Sequence, residues 1–226
     1  MLKVMGQLHR RPDLPLDAFR LHWRTVHRGL ALRLAHAGLL RGYVQNHRLD
    51  IAVDGLEAIA DGVPELWFDD AESFARMRAA DVLRKGAFQD EPNFMDTGNY
   101  RSLLLDEESI ALAPSRRECA GLLKAMVFLG PETVEAADPT VSLLGHGRPV
   151  RLSVHRRSVS EAGVATSGHS LVETSWWASL DHFCAAWSAR RSPQSVEGML
   201  VEERPVFWPG ETPPPADWTP VAQRRS

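Results

Sequence analysis

The stretch Asp17–Arg48, DAFRLHWRTVHRGLALRLAHAGLLRGYVQNHR, decides the fold of the first half of this 226-residue chain. Apolar residues recur through it at steps of three and four, which predicts an amphipathic helix over Leu16–Ala37. The stripe consists of Leu16, Phe19, Trp23, Val26, Leu30 and Leu34. Gly38 follows as a helix-ending glycine, and Arg41–Arg48 then alternates as a β-strand does.

The alternation of the predicted strand sorts its side chains onto two faces. Tyr43, Gln45 and His47 share one face, and Val44 and Asn46 share the other. Tyr43 and His47 can therefore contribute to one site, either a cleft on the helix side or the contact between two halves of the molecule.

Two histidines lie on the predicted helix. At about 100° per residue, His27 falls at the rim of the apolar stripe and points toward the element on which the helix packs. His22 lies five residues earlier, which places it on a different side, where we expect it to be exposed or paired with a carboxylate. A two-histidine metal site prefers a spacing of four, so we predict no metal here.

Composition excludes several classes of protein. The net charge is −3 with no basic run, so nucleic acid is not an expected partner. We find no stretch long enough to cross a membrane and no signal-peptide pattern at the N-terminus, so we expect no membrane partner and a cytoplasmic location. Cys119 and Cys184 are isolated and fit free thiols.

The order of strands and helices predicted for the first half of the chain is repeated in the second half. Strands are predicted in the first half near residues 2–9, 40–49, 63–68 and 100–105, and in the second near 121–129, 150–157, 171–176 and 196–202. Helices are predicted at 16–37, from Asp69 onward and at 180–189, with a weak Pro-interrupted segment at Pro131–Leu144 in place of the second long helix. Each half is thus β-α-β-β-α-β, the ferredoxin-like arrangement.

These boundaries give three parts. Residues 1–108 form the first module, residues 119–208 form a second, degenerate module, and residues 209–226 form a Pro-rich tail. The predicted class is α+β.

The segment Leu14–Arg28 resembles the signature of the EthD family of dimeric α+β barrel proteins, a Phe, a Trp and a His followed by an apolar run. In this chain they are Phe19, Trp23 and His27. The family's Tyr-containing strand, its third strand with an acidic helix start, and its closing segment correspond to Tyr43–His47, Glu65–Asp70 and Phe94–Leu104. The resemblance covers about the first hundred residues, whereas the second half shares only the order of elements.

The resemblance implies a dimeric-α/β-barrel-type fold, here built from two tandem ferredoxin-like modules of one chain. Described members of the family include decarboxylases and dehydratases of aromatic polyketides and accessory proteins of catabolic gene clusters. Related barrel families include isomerases and monooxygenases that use neither metal nor flavin. No cofactor is therefore expected, and a homodimer is left open because exposed strand edges invite pairing.

Acid–base residues are the candidate catalytic groups. The chain has no GxGxxG with a following acidic residue, no P-loop, no HExxH and no GxSxG. His27 is the first candidate for proton transfer, with Tyr43 and His47 stabilising a developing oxygen anion. In the alternative interpretation, His27 bonds a strand carbonyl and the other two are packing residues.

Further residues are candidates for substrate binding. Trp23 and Trp67 are predicted as cleft walls or core, and His9 as a residue of the cleft mouth; Asn46, on the opposite strand face, is a weaker candidate. Glu65 and Asp69 are either carboxylates that orient a histidine or, more commonly for such charges, a solvated strand edge and a helix cap.

The sequence therefore predicts a cofactor-independent lyase or isomerase, of decarboxylase or dehydratase type, for an apolar cyclic or aromatic oxygenated metabolite. One alternative is a non-catalytic small-molecule-binding or accessory protein. Another is a cofactor-free oxygenase, in which the same base forms a substrate carbanion that reacts with dioxygen.

Overall fold

A computed structural model describes residues 1–109, 114–131, 148–158, 167–189 and 195–217. Its strands are β1 (Leu2–Gln7), β2 (Gly42–Arg48), β3 (Leu56–Ala58), β4 (Gly62–Phe68), β5 (Arg101–Ser109), β6 (Leu123–Leu129), β7 (Arg151–Arg157), β8 (Leu171–Trp177) and β9 (Val196–Phe207). Its helices are α1 (Leu16–His22), a π-helical turn (Trp23–His27), α2 (Arg28–His36), α3 (Ala71–Ala79), α4 (Asp81–Arg84), α5 (Ala87–Phe94) and α6 (Leu180–Ser188).

Eight of the strands close into an antiparallel barrel. Their order is β2-β4-β1-β5-β7-β8-β6-β9, and β9 pairs back onto β2. The short β3 adds to β9 in parallel. The molecule is therefore a mixed α+β fold, and closure satisfies the backbone groups that an open sheet would leave at its edges.

Most predicted elements of the sequence are present. All eight predicted strands form, but the last is longer than predicted, since β9 continues to Phe207 and extends its pairing with β2 as far as Tyr43. Helix α5 was not predicted, because Pro92 within it interrupts the pattern typical of a helix. Of the predicted weak segment Pro131–Leu144, residues 132–144 lie outside the described residues, as does Trp218 of the tail.

The barrel wall separates two environments. Alternating side chains of β1, β2, β4 and β5 point outward, onto the helices of the first half. Side chains on the opposite face of the barrel wall point into the barrel. One region of this interior is apolar and contains Met5, Val63, Leu103, Leu105, Met126, Phe128, Val172, Met199 and Val201. Among the described residues, no helix has the length and apolar composition needed to cross a membrane.

Candidate active site

The long helix of the first half changes its winding at the histidines. Residues 16–36 run continuously, but the segment Trp23–His27 is π-helical. In a π-helix the hydrogen bonds run between residues five apart, so residues at that spacing come into line. His22 and His27 consequently lie on the same side of the helix, and the prediction that they diverge is wrong.

Both histidines bind one buried carboxylate. His27 Nδ1 lies 3.0 Å from Asp90 Oδ2, and His22 Nε2 lies 2.8 Å from Asp90 Oδ1. The side-chain amide of Asn93 donates to the same carboxylate at 3.3 Å. Burial alone would raise the pKa of Asp90, but these hydrogen bonds outweigh burial and lower it to about 2. Asp90 is thus ionised at neutral pH and accepts a hydrogen bond from an N–H group of each ring.

The change of winding also rotates the apolar stripe. Phe19 and Trp23 are buried, but Val26, predicted as a core residue, is 52% exposed. Beyond it Arg28, Ala31 and Leu32 are buried, and Leu34 of the predicted stripe is buried as well. The extra residue in the π-helical turn accounts for both the exposed valine and the aligned histidines.

A cavity of about 210 Å³ lies between these helices and the outer face of the sheet. Its polar lining consists of His27, Tyr43, Arg78, Glu91, Tyr100 and Ser102. The remainder is Val4, Leu8, Trp23, Ala31, Leu34, Leu40, Pro64, Leu66, Phe74, Met77, Leu83, Ala87, Phe88, Phe94 and Met95. The chamber is therefore apolar with a few polar groups, the usual composition of a small-molecule site.

Two N–H donors hold the hydroxyl of Tyr43. Trp23 Nε1 donates to the oxygen at 3.0 Å and Gln45 Nε2 at 2.9 Å. Both lone pairs are then used, and within the described residues the hydroxyl proton has no acceptor. Burial raises the pKa of Tyr43 to about 12, so the proton stays on the oxygen.

Close approach of Trp23 to the strand requires a glycine. A Cβ built on Gly62 would lie 2.3 Å from the Trp23 ring. Gly6 has the same role on β1, where a Cβ would lie 2.8 Å from the ring of Tyr100. The two glycines let these aromatic side chains lie flat against the sheet and form walls of the cavity.

A second proton-transfer group lines the cavity. Burial, reinforced by the neighbouring Asp90 carboxylate and opposed by Arg78, raises the pKa of Glu91 to about 7. Burial and the proximity of Glu91 likewise raise the pKa of Tyr100 to about 12. Sequence reasoning missed Asp90 and Glu91 because it did not predict helix α5; the only available signal was the acidic pair preceding Pro92.

His47 shares its strand face with Tyr43, as predicted, but it does not line the cavity. Its ring packs on Trp23 with centroids 4.5 Å apart, and its Nε2 donates to Gln45 Oε1 at 3.1 Å. Burial, followed by Arg204, Arg20 and Arg24, lowers the pKa of His47 to about 3. The prediction of direct contact between His47 and substrate is thus not supported in this cavity.

Three other predicted binding residues also lie away from the cavity. Trp67 points into the barrel, where its ring packs beneath Lys3 with 4.7 Å from Nζ to centroid. Asn46 also points inward and donates to the Val63 carbonyl at 2.8 Å. His9 follows β1, and its carbonyl accepts from the Asp96 amide. Strand alternation explains the first two placements, because odd and even residues face opposite sides of the wall.

Glu65 and Asp69 orient no histidine in the described structure. Glu65 is fully buried inside the barrel and pairs with three cations, Lys3 at 3.2 Å, Lys124 at 2.6 Å and Arg116. Asp69 forms an exposed ion pair with Arg41 at 2.8 Å. The cap of helix α3 is Asp70, which accepts from the Ser73 amide at 2.7 Å.

Residues 11–98 match the family model described as the EthD domain. They form an EthD domain. Helices α1 to α5, the π-helical turn and strands β2 to β4 fall within the match, and with them His27, Tyr43, Asp90 and Glu91. No curated protein matches the chain.

Solved structures resemble the whole chain, including the part beyond the EthD domain. A crystal structure of an anthrone oxidase-like protein is 11% identical, with coverage of 93% of this chain and 94% of that one and a TM-score of 0.52. A putative monooxygenase from Fusobacterium nucleatum subsp. nucleatum is 9% identical, covers 97% of both chains and has a TM-score of 0.45. A mutant chlorite dismutase from Candidatus Nitrospira defluvii is 9% identical, with 88% and 90% covered and a TM-score of 0.47. At these identities the likeness concerns the fold.

In the described part of the chain, no group of three or more His, Cys, Asp or Glu side chains is placed to hold a metal ion. Several polar groups at the cavity are ones that can exchange a proton. One imidazole is held by an ionised carboxylate, one carboxyl group titrates near neutrality, and two phenols stay protonated.

Proposed function

We propose that this protein is a cofactor-independent acid–base enzyme that acts, in the cavity of its EthD domain, on an apolar cyclic or aromatic oxygenated molecule. Decarboxylation, dehydration or isomerisation are the reactions that such a site catalyses. The observation that carries the proposal is His27 in the wall of an apolar cavity, with its Nδ1 bound to the ionised Asp90.

His27 is the proposed general base. Because Asp90 is a carboxylate and accepts at Nδ1, the proton of a neutral ring resides there, and Nε2 carries a lone pair. No other side chain or backbone group of the described residues bonds Nε2. A proton taken from substrate at Nε2 would leave an imidazolium stabilised by Asp90, the arrangement by which a carboxylate supports a catalytic histidine.

Tyr43 and Glu91 are the proposed partners of that base. Tyr43 has one hydroxyl proton to donate, so it favours a ligand with an acceptor oxygen such as a carbonyl. When the base removes a proton from the carbon next to that carbonyl, the electron pair moves to the oxygen and the Tyr43 hydrogen bond strengthens. Protonated Glu91 can then give its proton to a departing hydroxyl, which leaves as water. In a decarboxylation the bond to the carboxylate breaks instead and its electron pair moves to the carbonyl oxygen, and Glu91 then protonates the carbon that has lost carbon dioxide.

The size of the cavity limits the substrate. An engineered protein cavity of about 150 Å³ binds benzene. A cavity of about 210 Å³ therefore fits a molecule of one substituted ring or two fused rings. Arg78 is the one cationic residue of the described lining, so a substrate that carries a carboxylate would orient that group toward it.

The cofactor-free oxygenase remains the second candidate, and the name of the anthrone oxidase-like neighbour favours it. Proton removal by His27 would be shared, and dioxygen would then react with the resulting carbanion. A binding or accessory protein would use the same cavity without proton transfer.

The finer organisation of the chain is also part of the proposal. We infer that residues 1–108 and 119–208 are two ferredoxin-like modules, followed by the tail 209–226. Support comes from strand order: β2-β4-β1-β5 in the first half and β7-β8-β6-β9 in the second place corresponding strands alike. Cytoplasmic location and homodimer formation stay predictions.

Hydrogen–deuterium exchange at substrate carbon tests the proposal directly. The protein is incubated in D2O, without cofactor, with a panel of one- and two-ring ketones, β-keto acids and phenols, and carbon-bound deuterium, carbon dioxide and oxygen uptake are measured. We expect exchange with the wild type, its loss in His27→Gln, and no change in the control His36→Gln, whose residue lies on α2 and bonds the Pro214 carbonyl.

Each outcome assigns one function. Release of carbon dioxide or water identifies a lyase, and oxygen uptake identifies an oxygenase. Tight binding with no exchange would contradict acid–base catalysis and leave a binding protein, whereas equal exchange in His27→Gln would show that a group other than His27 is the base.

A further inference from the structure

A second concave site includes His47, whose ring packs on Trp23. It is a cleft of about 520 Å³ between α1, the end of β2 and β9. Its lining consists of Asp17, Ala18, Arg20, Leu21, Arg24, His47, Arg48, Leu49 and Glu202. None of its residues takes part in the chemistry proposed for the EthD domain cavity.

Unpaired nitrogen atoms concentrate in this cleft. Three buried side-chain nitrogens of the cleft have no hydrogen-bond partner among the described residues: Arg20 Nε, Arg48 Nε and His47 Nδ1. Buried polar groups in folded proteins nearly always have a partner, so such a cluster indicates an absent one. His47 is only 2% exposed.

The tautomer of His47 follows from its neighbours. Gln45 Nε2 donates to the Trp23 carbonyl at 2.9 Å, which directs the Gln45 carbonyl toward His47. His47 Nε2 therefore carries the proton, and Nδ1 is an acceptor while the ring is neutral. Once protonated, the same atom would be a cationic donor.

Positive charge exceeds negative charge around the cleft, although the chain as a whole carries −3. Arg20 pairs with Asp17 at 3.1 Å, and Arg204, which also acts on His47, pairs with Glu202 at 2.6 Å. A third ion pair joins Arg48 to a carboxylate that is not part of the cleft lining.

That carboxylate is Asp61, which binds Arg48 at 2.9 Å and is shared with Arg10 at 2.8 Å. Arg24, by contrast, is exposed and has no ion pair among the described residues. One guanidinium is therefore available for a ligand, beside two others whose Nε–H groups are unpaired.

We propose that this cleft binds a small organic oxyanion, through a carboxylate or phosphate group held by Arg24, Arg20 and Arg48. Guanidinium groups match the geometry of both anions, and their planar forks bind two oxygens at once. Ala18, Leu21 and Leu49 give the wall an apolar portion, which favours an anion with a hydrocarbon body.

Binding would be sensed at His47. Burial and the positive charge of the arginines both oppose protonation of the His47 ring. An anion bound among the arginines offsets their charge, so the pKa of His47 rises. The groups that face the ring are Arg20 and Arg24 from the helix, Arg204 and Glu202 from β9, and Arg48 from its own strand.

The test uses benzoate, acetate and inorganic phosphate at constant ionic strength with chloride as background. Isothermal titration calorimetry should show saturable binding of phosphate and of benzoate, with benzoate tighter than acetate. Arg24→Gln should weaken binding about tenfold or more, whereas Arg33→Gln, an exposed arginine of α2, should leave it unchanged.

A separate readout keeps the proposal falsifiable if a variant is unstable. The His47 imidazole is titrated by NMR in the wild type with and without saturating anion, and its pKa should rise when the anion is bound. Binding no tighter than that of chloride, equal loss in Arg24→Gln and Arg33→Gln, or an unmoved His47 pKa would overturn the proposal. None of these outcomes depends on the reaction proposed for the cavity.

Discussion

Two adjacent carboxylates of helix α5 are held in opposite protonation states. Asp90 is ionised because two imidazoles and an amide donate to it, whereas burial beside that charge keeps Glu91 protonated to about pH 7. Pairs of titratable groups pushed apart in this way separate the acid from the base in many active sites. Here the ionised member holds His27, and the protonated member faces the cavity.

Replacing Asp90 with Asn tests the support of His27. An amide has one acceptor oxygen where the carboxylate has two, so it cannot accept from both histidine rings. One ring must then change its tautomer, and we expect turnover or isotope exchange to fall by about 10²–10⁴-fold.

The control for Asp90→Asn is Asp81→Asn, which removes an exposed charge at the start of α4. Thermal unfolding measured on both variants separates loss of chemistry from loss of fold. Unchanged exchange in folded Asp90→Asn would show that His27 works without the carboxylate.

Glu91→Gln should alter two pH profiles. The folded-state pKa of Glu91 is raised, so its stabilising contribution is present below about pH 4.5, the ordinary value, and is lost as pH rises through about 7. The free energy of unfolding should therefore fall with pH across that window less steeply in Glu91→Gln than in the wild type. Activity should fall in Glu91→Gln because Gln cannot donate the proton, and the rate that remains should lack a decline near pH 7 because Gln does not titrate.

Chemical denaturation at pH 5, 6, 7 and 8 and a pH–rate profile check this prediction. Glu72→Gln serves as the control, because Glu72 is an exposed carboxylate paired only with Arg76. Parallel stability curves for Glu91→Gln and the wild type would place the Glu91 carboxyl in solvent.

At the scale of elements, strands were more predictable from sequence than the long helix. Strand faces follow strict alternation, so the shared face of Tyr43, Gln45 and His47 was readable from the chain. The π-helical turn was not, because Trp23–His27 contains nothing that separates it from regular helix, and the i,i+5 alignment of the histidines depends on it.

There is a physical reason why the sequence did not predict the two carboxylates of the site. Asp90 and Glu91 come from a helix of only eight residues that contains Pro92, and such a short helix depends on packing more than on propensity. Pairing with the strands of the second half closes the barrel. This closure determines which face of each strand contacts the helices and which faces the barrel interior. The position of Trp67 inside the barrel therefore did not follow from its own segment.

The contact between the π-helical turn and β4 predicts the effect of one methyl group. Gly62→Ala would place a Cβ 2.3 Å from the Trp23 ring, an overlap that the indole can relieve only by moving. Trp23 also donates to Tyr43, so the hydroxyl would lose one of its two donors. Overpacking of this kind costs about 1–3 kcal/mol of unfolding free energy.

Gly130→Ala is the matched control, since no atom of the described residues lies within 4 Å of a Cβ built there. Urea denaturation should show a loss for Gly62→Ala and almost none for Gly130→Ala. Equal stabilities would mean that Trp23 does not lie against β4.

At the scale of the whole molecule, buried ion pairs link the two halves inside the barrel. Glu65 of β4 and Glu203 of β9 both accept from Lys124 of β6, at 2.6 and 2.7 Å. Arg116 precedes β6, contacts both carboxylates and stacks near Trp208 at 4.9 Å. Charges from both sides of the barrel thus meet away from water, where each one depends on its partners.

Glu65→Gln should be the most damaging single change in this cluster. It removes the negative charge and one of the two acceptor oxygens that face Lys3, Lys124 and Arg116 and leaves buried cations undercompensated, which costs about 3–5 kcal/mol. Adding Lys124→Met removes one of those cations, so the double variant should be destabilised by less than the sum of the two single variants.

Burial acts to raise the pKa of Glu65, but the three cations outweigh it and hold that pKa well below its ordinary value. The stabilisation is therefore present above the unfolded-state pKa and is lost as pH falls toward the folded-state value. A double-mutant cycle in urea at pH 7, repeated at pH 4, measures both effects, and additive losses with the same pH dependence in every variant would show that the halves are held together by apolar contacts alone.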